Sequence, residues 1–400
     1  MSRQDRWLLP EGIEEVLPFE AQHLEALRRK LLDLFRTWGY EFVMPPLVEY
    51  LESLLTGTGN DLDLQTFKIT DQLTGRLMGV RADMTPQVAR IDAHRLKRTT
   101  PVRLCYLGTV LHTVPDGFAR SRNPLQVGAE LYGHAGIESD LEVLSLMMQT
   151  LATAGVQDVT LDLGHVGIYR GLVREAGLNP EQEKTLFDAL QRKAHTDIEA
   201  SLAQFALTKT YRQRFAQLAD LNGGAEVLEE ARRVLHGSSA ETLNALESLC
   251  SLAAAVRARL KDAPLHFDLA ELRGYHYHTG AVFAAYVPGQ GQAVAQGGRY
   301  DDIGAVFGRA RPATGFSADL KTLASLASAP APVHRGSIFA PCDDDTALDA
   351  QIQKLRAEGE CVVCALPGQT GGAREMGCER ALELRQGVWT VVGLEDSKSG

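Results

Sequence analysis

The stretch that most restricts what this chain can fold into is residues 269–302, LAELRGYHYHTGAVFAAYVPGQGQAVAQGGRYDD. Its first part, 272–280, packs one guanidinium (Arg273), two phenols (Tyr275, Tyr277), two imidazoles (His276, His278) and two glycines into nine residues. Val282 and Phe283 follow with β-type composition. Pro288-Gly289-Gln290-Gly291 then breaks the run, and Gly297-Gly298-Arg299-Tyr300-Asp301 closes it. Two extended runs about a Pro/Gly turn predict a β-hairpin. A period of two places Arg273, Tyr275 and Tyr277 on one strand face, with His276 and His278 opposite. Charged and aromatic groups clustered on paired strands suit a pocket for a small zwitterion. They equally describe a hairpin with a solvated arginine and core tyrosines, and composition does not choose between the two.

The chain has room for two or three domains around a large core: 400 residues, 44% hydrophobic and 23% charged. That balance is ordinary for a globular protein. No apolar run reaches the roughly 18 residues of a membrane span. The N-terminus, MSRQDRWLLPEG, lacks the apolar core of a secretory signal, so a cytoplasmic location is expected. Net charge is 41 − 51 = −10, which offers no global footprint for nucleic acid, although a local basic patch would suffice. The six cysteines include Cys361-Val-Val-Cys364, with Cys342 and Cys378 on either side. A CxxC on a tight turn can hold zinc. Here Glu-Cys-Val-Val-Cys-Ala-Leu reads as a buried strand, in which residues three apart face opposite sides. Core cysteines are expected, and no metal.

A short extended lead-in over 10–18 precedes a helix over 19–37, with Leu24, Leu27, Leu31, Leu34 and Phe35 at helical spacing. Gly39 stops it, and 40–46 reads as a strand ended by two prolines. Residues 67–71 and 76–81 flank a Leu-Thr-Gly turn as a hairpin. Ala82-Asp83-Met84-Thr85-Pro86 opens a helix that Asp83 or Thr85 can cap. Residues 103–111 and 125–133 read as paired strands, with Gln126 and Glu130 four apart on one face. A polar, solvent-facing strand edge is the plain alternative for that pair. A helix over 137–156 and a strand over 159–165 follow. Residues 166–260 are almost wholly helical in pattern and offer no chemistry. Residues 313–323 read as a strand feeding a helix. An Ala/Ser/Pro-rich linker at 327–334 separates a core of 1–326 from a small domain of 335–400. That domain reads β-α-β-α-β, with helices around 348–357 and 374–384.

Arg-Gly-x-x-Tyr-x-Thr-Gly-x-Val-Phe at 273–283, followed by Gly-Gly-Arg-Tyr-Asp at 297–301, resembles the histidine-specific signature of histidyl-tRNA synthetases. The helix, glycine, strand and proline of 19–46 resemble the first motif of class II aminoacyl-tRNA synthetases, which implies a homodimer interface there. Residues 101–133 resemble the second motif and 313–323 the third. The resemblance covers essentially the whole chain. It implies an α+β fold: a class II synthetase-like antiparallel sheet with flanking helices, a helical insertion over about 166–260, and a small C-terminal α/β domain similar to a shortened anticodon-binding domain.

The same resemblance implies a histidine pocket. Asp83 stands where the synthetases carry the Glu of Arg-Pro-Glu-Gly-Thr, which holds the amino group. An ammonium needs a fixed acceptor, and Asp supplies one as Glu does. Gln126 and Glu130 match the pair that reads the amino group and the imidazole. Thr85, Arg273, Tyr277, His278 and Tyr300 complete the implied set. His278 departs from a second Tyr usual in the synthetases, and its imidazole titrates near pH ~6.5.

The ATP side departs further. Leu111-His112-Thr113-Val114 stands where the synthetases have Phe-Arg-x-Glu, and Asp319, Lys321 and Thr322 stand where they have Gly-x-Glu-Arg. Both arginines that grip the triphosphate are missing from the pattern. Such arginines are worth roughly 10³–10⁵ in rate in other phosphoryl transfers. Residues 335–400 carry 7 Lys/Arg and 11 Asp/Glu, a net charge of −4, the wrong sign for an anticodon reader. Keeping the histidine side while losing the ATP side resembles the regulatory-subunit family of short-form ATP phosphoribosyltransferase, paralogues of the synthetases. That resemblance implies no catalytic residue and no cofactor in this chain, a short-form catalytic subunit as partner, L-histidine as feedback effector, and a homodimer within a hetero-oligomer. The rivals are an active histidyl-tRNA synthetase, a synthetase-like module for tRNA or another partner, and a scaffold with a relic pocket.

Overall fold

A computed structural model of the chain describes residues 7–55, 60–115, 121–272, 274–275, 277–327 and 336–394. It divides into two compact units, Met1–Ala329 and Pro330–Gly400. The larger unit carries β1 (Glu41–Phe42), β2 (Val48–Tyr50), β3 (Phe67–Thr70), β4 (Leu77–Val80), β5 (Val102–Thr109), β6 (Leu125–Tyr132), β7 (Thr160–His165), β8 (Asn222–Gly223), β9 (Leu265–Asp268), β10 (Ala281–Tyr286), β11 (Ala295–Arg299) and β12 (Ala313–Asp319). Nine of these form one sheet in the order β1-β5-β6-β12-β11-β10-β7-β9-β8, with β2, β4 and β3 as a separate small sheet. Pairing in the large sheet is antiparallel except for β1 with β5 and β7 with β9. This is the α+β, class II-like frame that the sequence implied.

Strand alternation sorts the two faces of the large sheet. On one face Phe316 meets Phe35 of the helix Pro18–Thr37 edge-on, with centroids 6.2 Å apart at 81°. Such a pair is worth about 0.5–1.5 kcal/mol beyond its buried area. The helix Ile137–Ala154 adds Val143, Leu144, Leu146 and Met147 to the same core. The opposite face carries Glu130, Ser317, Gln296 and Asp162, and a cavity lies over it. Helices follow one another from Val166 to Arg259, and two of them, Val166–Ala176 and Ala240–Arg259, pack beside β7 and β10. Among the described residues no helix is long and apolar enough to cross a membrane.

The hairpin after residue 280 forms as expected, with β10 paired to β11. Its first strand, however, starts at Ala281, and the run before it is not extended. Gly274 takes a φ of +64°, and the amides of Tyr277 and His278 both bond back to the Gly274 carbonyl at 2.7 Å. These turns break the period of two. Tyr275 packs among Tyr169 and Phe187 of the helical segment at one part of the cavity wall, and Tyr277 stacks on Tyr300 at another. Arg273 and His276 lie outside the described residues.

The small unit holds β13 (Ile338–Ala340), the helix Thr346–Ala357, β14 (Val362–Cys364), β15 (Arg380–Arg385) and β16 (Val388–Gly393), in the sheet order β14-β13-β15-β16. The helix expected at 374–384 is instead a turn region running into β15. Its Ala-Leu-Glu-Leu composition favours helix, but Gln386 and Gly387 take φ of +51° and +78°. That is the two-residue turn of a tight hairpin. Pairing with β16 and burial of Ala381 and Leu382 override the local propensity. The cysteines also differ from expectation: Cys105 and Cys378 are buried, but Cys361 is exposed and Cys364 half-buried. Of the expected linker 327–334, all but Ala327 lies outside the described residues.

Candidate functional site

Glu130 sits on β6, between β5 and β12, so the solvent-edge alternative for Gln126 and Glu130 fails. Its side chain is fully enclosed. Tyr106 donates to Oε1 at 3.0 Å, and Tyr300 donates to Oε2. Gly315 lies directly across on β12, and any Cβ there would collide with the carboxylate. Burial pushes the Glu130 carboxyl up to about 8; the two phenols pull it partly back, and Asp83 adds to the rise. The shift favours the neutral carboxyl. Tyr277 stacks on Tyr300, with centroids 4.8 Å apart at 26°, and meets His278 edge-on at 5.4 Å. The Tyr277 hydroxyl is buried without a hydrogen-bond partner among the described residues. A buried orphan hydroxyl costs free energy until a ligand or water satisfies it.

Asp83 is held from two sides. Its Oδ1 accepts from Gln126 Nε2 at 2.7 Å and from the Thr85 amide at 3.0 Å. Gln126 Oε1 accepts in turn from the Met84 amide at 2.9 Å. The helix Thr85–Arg90 has Met84 at its N-cap, with no side-chain cap bond there. Asp83 therefore serves the helix start from one residue further out, and its second oxygen stays available. The Thr85 hydroxyl lies 3.0 Å from that of Tyr106. Asp83, Thr85, Glu130, Tyr277, His278 and Tyr300 line one cavity of about 590 Å³. Gln126 does not line it and acts through Asp83.

Two contributors escaped the sequence reading. Tyr106 stands opposite Gly128, and a Cβ on that glycine would come within 2.4 Å of the Tyr106 hydroxyl. A glycine set between Gln126 and Glu130 was the available signal. Arg170, on the helix Val166–Ala176, donates to the carbonyls of Tyr275 at 2.9 Å and His278 at 3.0 Å. Tyr275 donates to Glu183 at 2.6 Å from the other side. The helical segment thus fastens the loop that carries Tyr277 and His278. No local pattern announced this, because both contacts span about a hundred residues.

The positions where the ATP-gripping arginines are missing are occupied structurally. His112 Nε2 lies 2.9 Å from the Ala82 carbonyl. Lys321 Nζ lies 3.5 Å from Glu14 and lines a separate hollow with Leu24 and Arg28. Asp319 caps its own helix through the amides of Lys321 and Thr322 and also receives the Leu125 amide. Arg299 of the Gly-Gly-Arg-Tyr-Asp run points to the opposite face, in a buried pair with Asp140 at 3.0 Å. What remains in the cavity is suited to an ammonium and an imidazole: carboxyls, phenols and an orphan hydroxyl.

The fold defines a class: a class II synthetase frame with an enclosed cavity over one face of its sheet. Residues 12–323 match the family model described as histidyl-tRNA synthetase, and residues 335–392 match that of the ATP phosphoribosyltransferase subunit HisZ C-terminal domain. Among solved structures, the chain is similar to an ATP phosphoribosyltransferase regulatory subunit/histidyl-tRNA synthetase from Bacillus halodurans. The TM-score is 0.83 and the identity 27%, over 94% of this chain and 97% of that one. Histidyl-tRNA synthetase from Nostoc shares the fold, with a TM-score of 0.75 at 18% identity over 97% of each chain. The ATP phosphoribosyltransferase regulatory subunit of Thioalkalivibrio sulfidiphilus is 60% identical over 98% of this chain and all of its own length. That of Alkalilimnicola ehrlichii is 60% identical over 96% of each. The chain belongs to the family of ATP phosphoribosyltransferase regulatory subunits, and it is a regulatory subunit rather than a catalytic one.

Proposed function

We propose that this chain binds L-histidine in the Glu130 cavity and, in complex with a short-form catalytic subunit of ATP phosphoribosyltransferase, lowers the activity of the first step of histidine biosynthesis when histidine accumulates. The carrying observation is the buried Tyr277 hydroxyl, without a hydrogen-bond partner among the described residues, beside the Glu130–Tyr300 pair in a cavity that also presents Asp83. Glu130 and the phenols suit the two nitrogens of an imidazole, and Asp83 suits the ammonium. Feedback requires that histidine prefer the less active arrangement of the complex. Coupling between sites is typically about 1–3 kcal/mol.

The family's homodimer contact is part of this proposal. β1 is an edge strand of the large sheet, and Phe19, Phe42, Met44 and Leu47 around it are exposed. An edge strand with exposed apolar side chains is a template for pairing, which supports a second copy of the chain at residues 19–46.

The test is a histidine inhibition curve for the enzyme reconstituted from both subunits. Asp83→Ala removes the acceptor for a charged donor, worth about 1.5–3 kcal/mol, and should raise the half-inhibitory histidine concentration at least about tenfold. Inhibition of Asp83→Ala and Glu130→Gln complexes at the wild-type concentration would show that the sensor lies elsewhere.

A further inference from the structure

The small sheet turns its apolar side outward. Its strands lie in the order β2-β4-β3, and the register puts Val48, Val80 and Phe67 in one row and Tyr50, Met78 and Ile69 in the next. Residues opposite each other, and residues two apart on a strand, point to the same side. One face of the sheet is therefore made of these six apolar or aromatic side chains and carries no charge. The other face carries Glu49, Gly79, Lys68 and Thr70, with Leu77 at the hairpin end.

That second, more polar face is the one turned to the chain's own structure. A Cβ on Gly79 would come within 2.7 Å of Leu54 and 2.8 Å of Thr66, so the helix Leu51–Leu55 lies against it. Glu49 accepts from Gln87 Nε2 at 2.9 Å and from Arg90 Nε at 3.1 Å. Lys68 pairs with Asp63 at 2.8 Å. The apolar face has no such cover. Ile69 is 40% exposed, the other five are half-buried, and among the described residues none of the six packs against a hydrophobic core. Arg76 lies over the Tyr50 ring at 3.6 Å and Arg122 over the Phe67 ring at 5.3 Å, at opposite corners of the face. A charged rim around an apolar centre is the make-up of a protein contact, and an apolar patch left to water marks one.

Size and position point to the partner. Three strands about 4.8 Å apart, with about four residues at 3.3 Å each, give a face of roughly 190 Å². Each partner in a standard interface buries roughly 800 Å², so this face is one part of a larger contact. The exposed apolar surface that continues it along the chain is the β1 edge, where Phe42 and Met44 are 39% and 79% exposed just before β2. In a two-fold contact the same patch serves on both copies, and an uncharged centre does so without like-charge repulsion. We propose that the apolar face of the small sheet docks on a second copy of this chain, as the continuation of the self-contact at residues 19–46. This rests on that self-contact.

Sedimentation equilibrium of the full chain and three variants tests it. Wild type should be a dimer. Ile69→Asp should raise the dimer dissociation constant at least about tenfold, because it puts a charge without a partner into the contact. Thr70→Asp, on the opposite face of the same strand, should stay within about threefold of wild type. Both positions are exposed in the single chain, so circular dichroism should show both variants folded. Dimers of Ile69→Asp as tight as wild type, with Met44→Asp monomeric, would overturn the docking face and leave the edge contact standing. An Ile69→Asp chain that stays dimeric but no longer joins the catalytic subunit would overturn it too, and give the face to that partner. Equal losses in Ile69→Asp and Thr70→Asp would also overturn it. A monomeric wild type, or dimers that neither Ile69→Asp nor Met44→Asp weakens, would overturn face and edge together.

Discussion

Glu130 is a carboxyl held in the protein interior by two phenols, and its protonation links the pocket to stability. Its ordinary carboxyl value applies in the unfolded chain, whereas burial raises the native value to about 8. Between those values the native state binds the proton that the unfolded chain has released. Stability is therefore fully present below the unfolded value and is lost as pH rises through about 8. The slope reaches at most about 1.4 kcal/mol per pH unit. Glu130→Gln keeps the shape and removes the titration, so chemical unfolding from pH 5 to pH 8 should fall less steeply for the variant than for wild type. Parallel profiles would show that Glu130 is ionised in the folded chain. Gln126 gives a second prediction at this scale. Because it holds Asp83 without lining the cavity, Gln126→Leu should weaken histidine binding about fivefold while leaving pocket volume unchanged. Unaltered affinity in calorimetry would show that the Thr85 amide alone positions Asp83.

Among elements, the loop over 272–280 matters most, because its conformation is set by helices far away in sequence. Arg170 holds two of its carbonyls, and Glu183 holds the Tyr275 hydroxyl. Arg170→Ala should raise the histidine dissociation constant about tenfold, and Arg170→Lys, which keeps one donor arm, should recover part of the loss. Equal effects of Ala and Lys would mean that the loop is held by Tyr275 packing instead. A second element-level prediction concerns the buried pair of Arg311 with Asp92, at 3.2 Å with side chains 8% and 1% exposed. Asp92→Ala leaves a guanidinium uncompensated and should cost about 3–5 kcal/mol in denaturant unfolding.

These elements also show where sequence is legible. The helix over 18–37 declared itself through a four-leucine stripe and a terminal glycine, and β6 and β12 through extended runs in which small and apolar residues outnumber the polar ones. The 272–280 loop did not, because glycine-directed turns hid beneath an alternating pattern. The strand β15 did not, because its composition is helical and only the partner β16 makes it a strand. In the pocket, Asp83, Glu130, Tyr277 and Tyr300 were legible as residue types in a known arrangement. Tyr106 and Arg170 were not, because their roles depend on what the fold sets opposite them.

For the whole molecule, the proposed histidine pocket sits in a frame whose positions matching the synthetases' triphosphate arginines make structural contacts. His112 is turned to a backbone carbonyl, and Lys321 to Glu14. Under the proposed self-contact at the β1 edge, Met44→Asp should convert a dimer to a monomer in sedimentation, and an unchanged dimer would place the self-contact elsewhere. The most direct measurement is calorimetric titration of the purified chain with L-histidine and, separately, with ATP. Saturable histidine binding at one site per chain with no heat from ATP is the predicted result. ATP binding, or no histidine binding either to the chain alone or to its complex with the catalytic subunit, would contradict it.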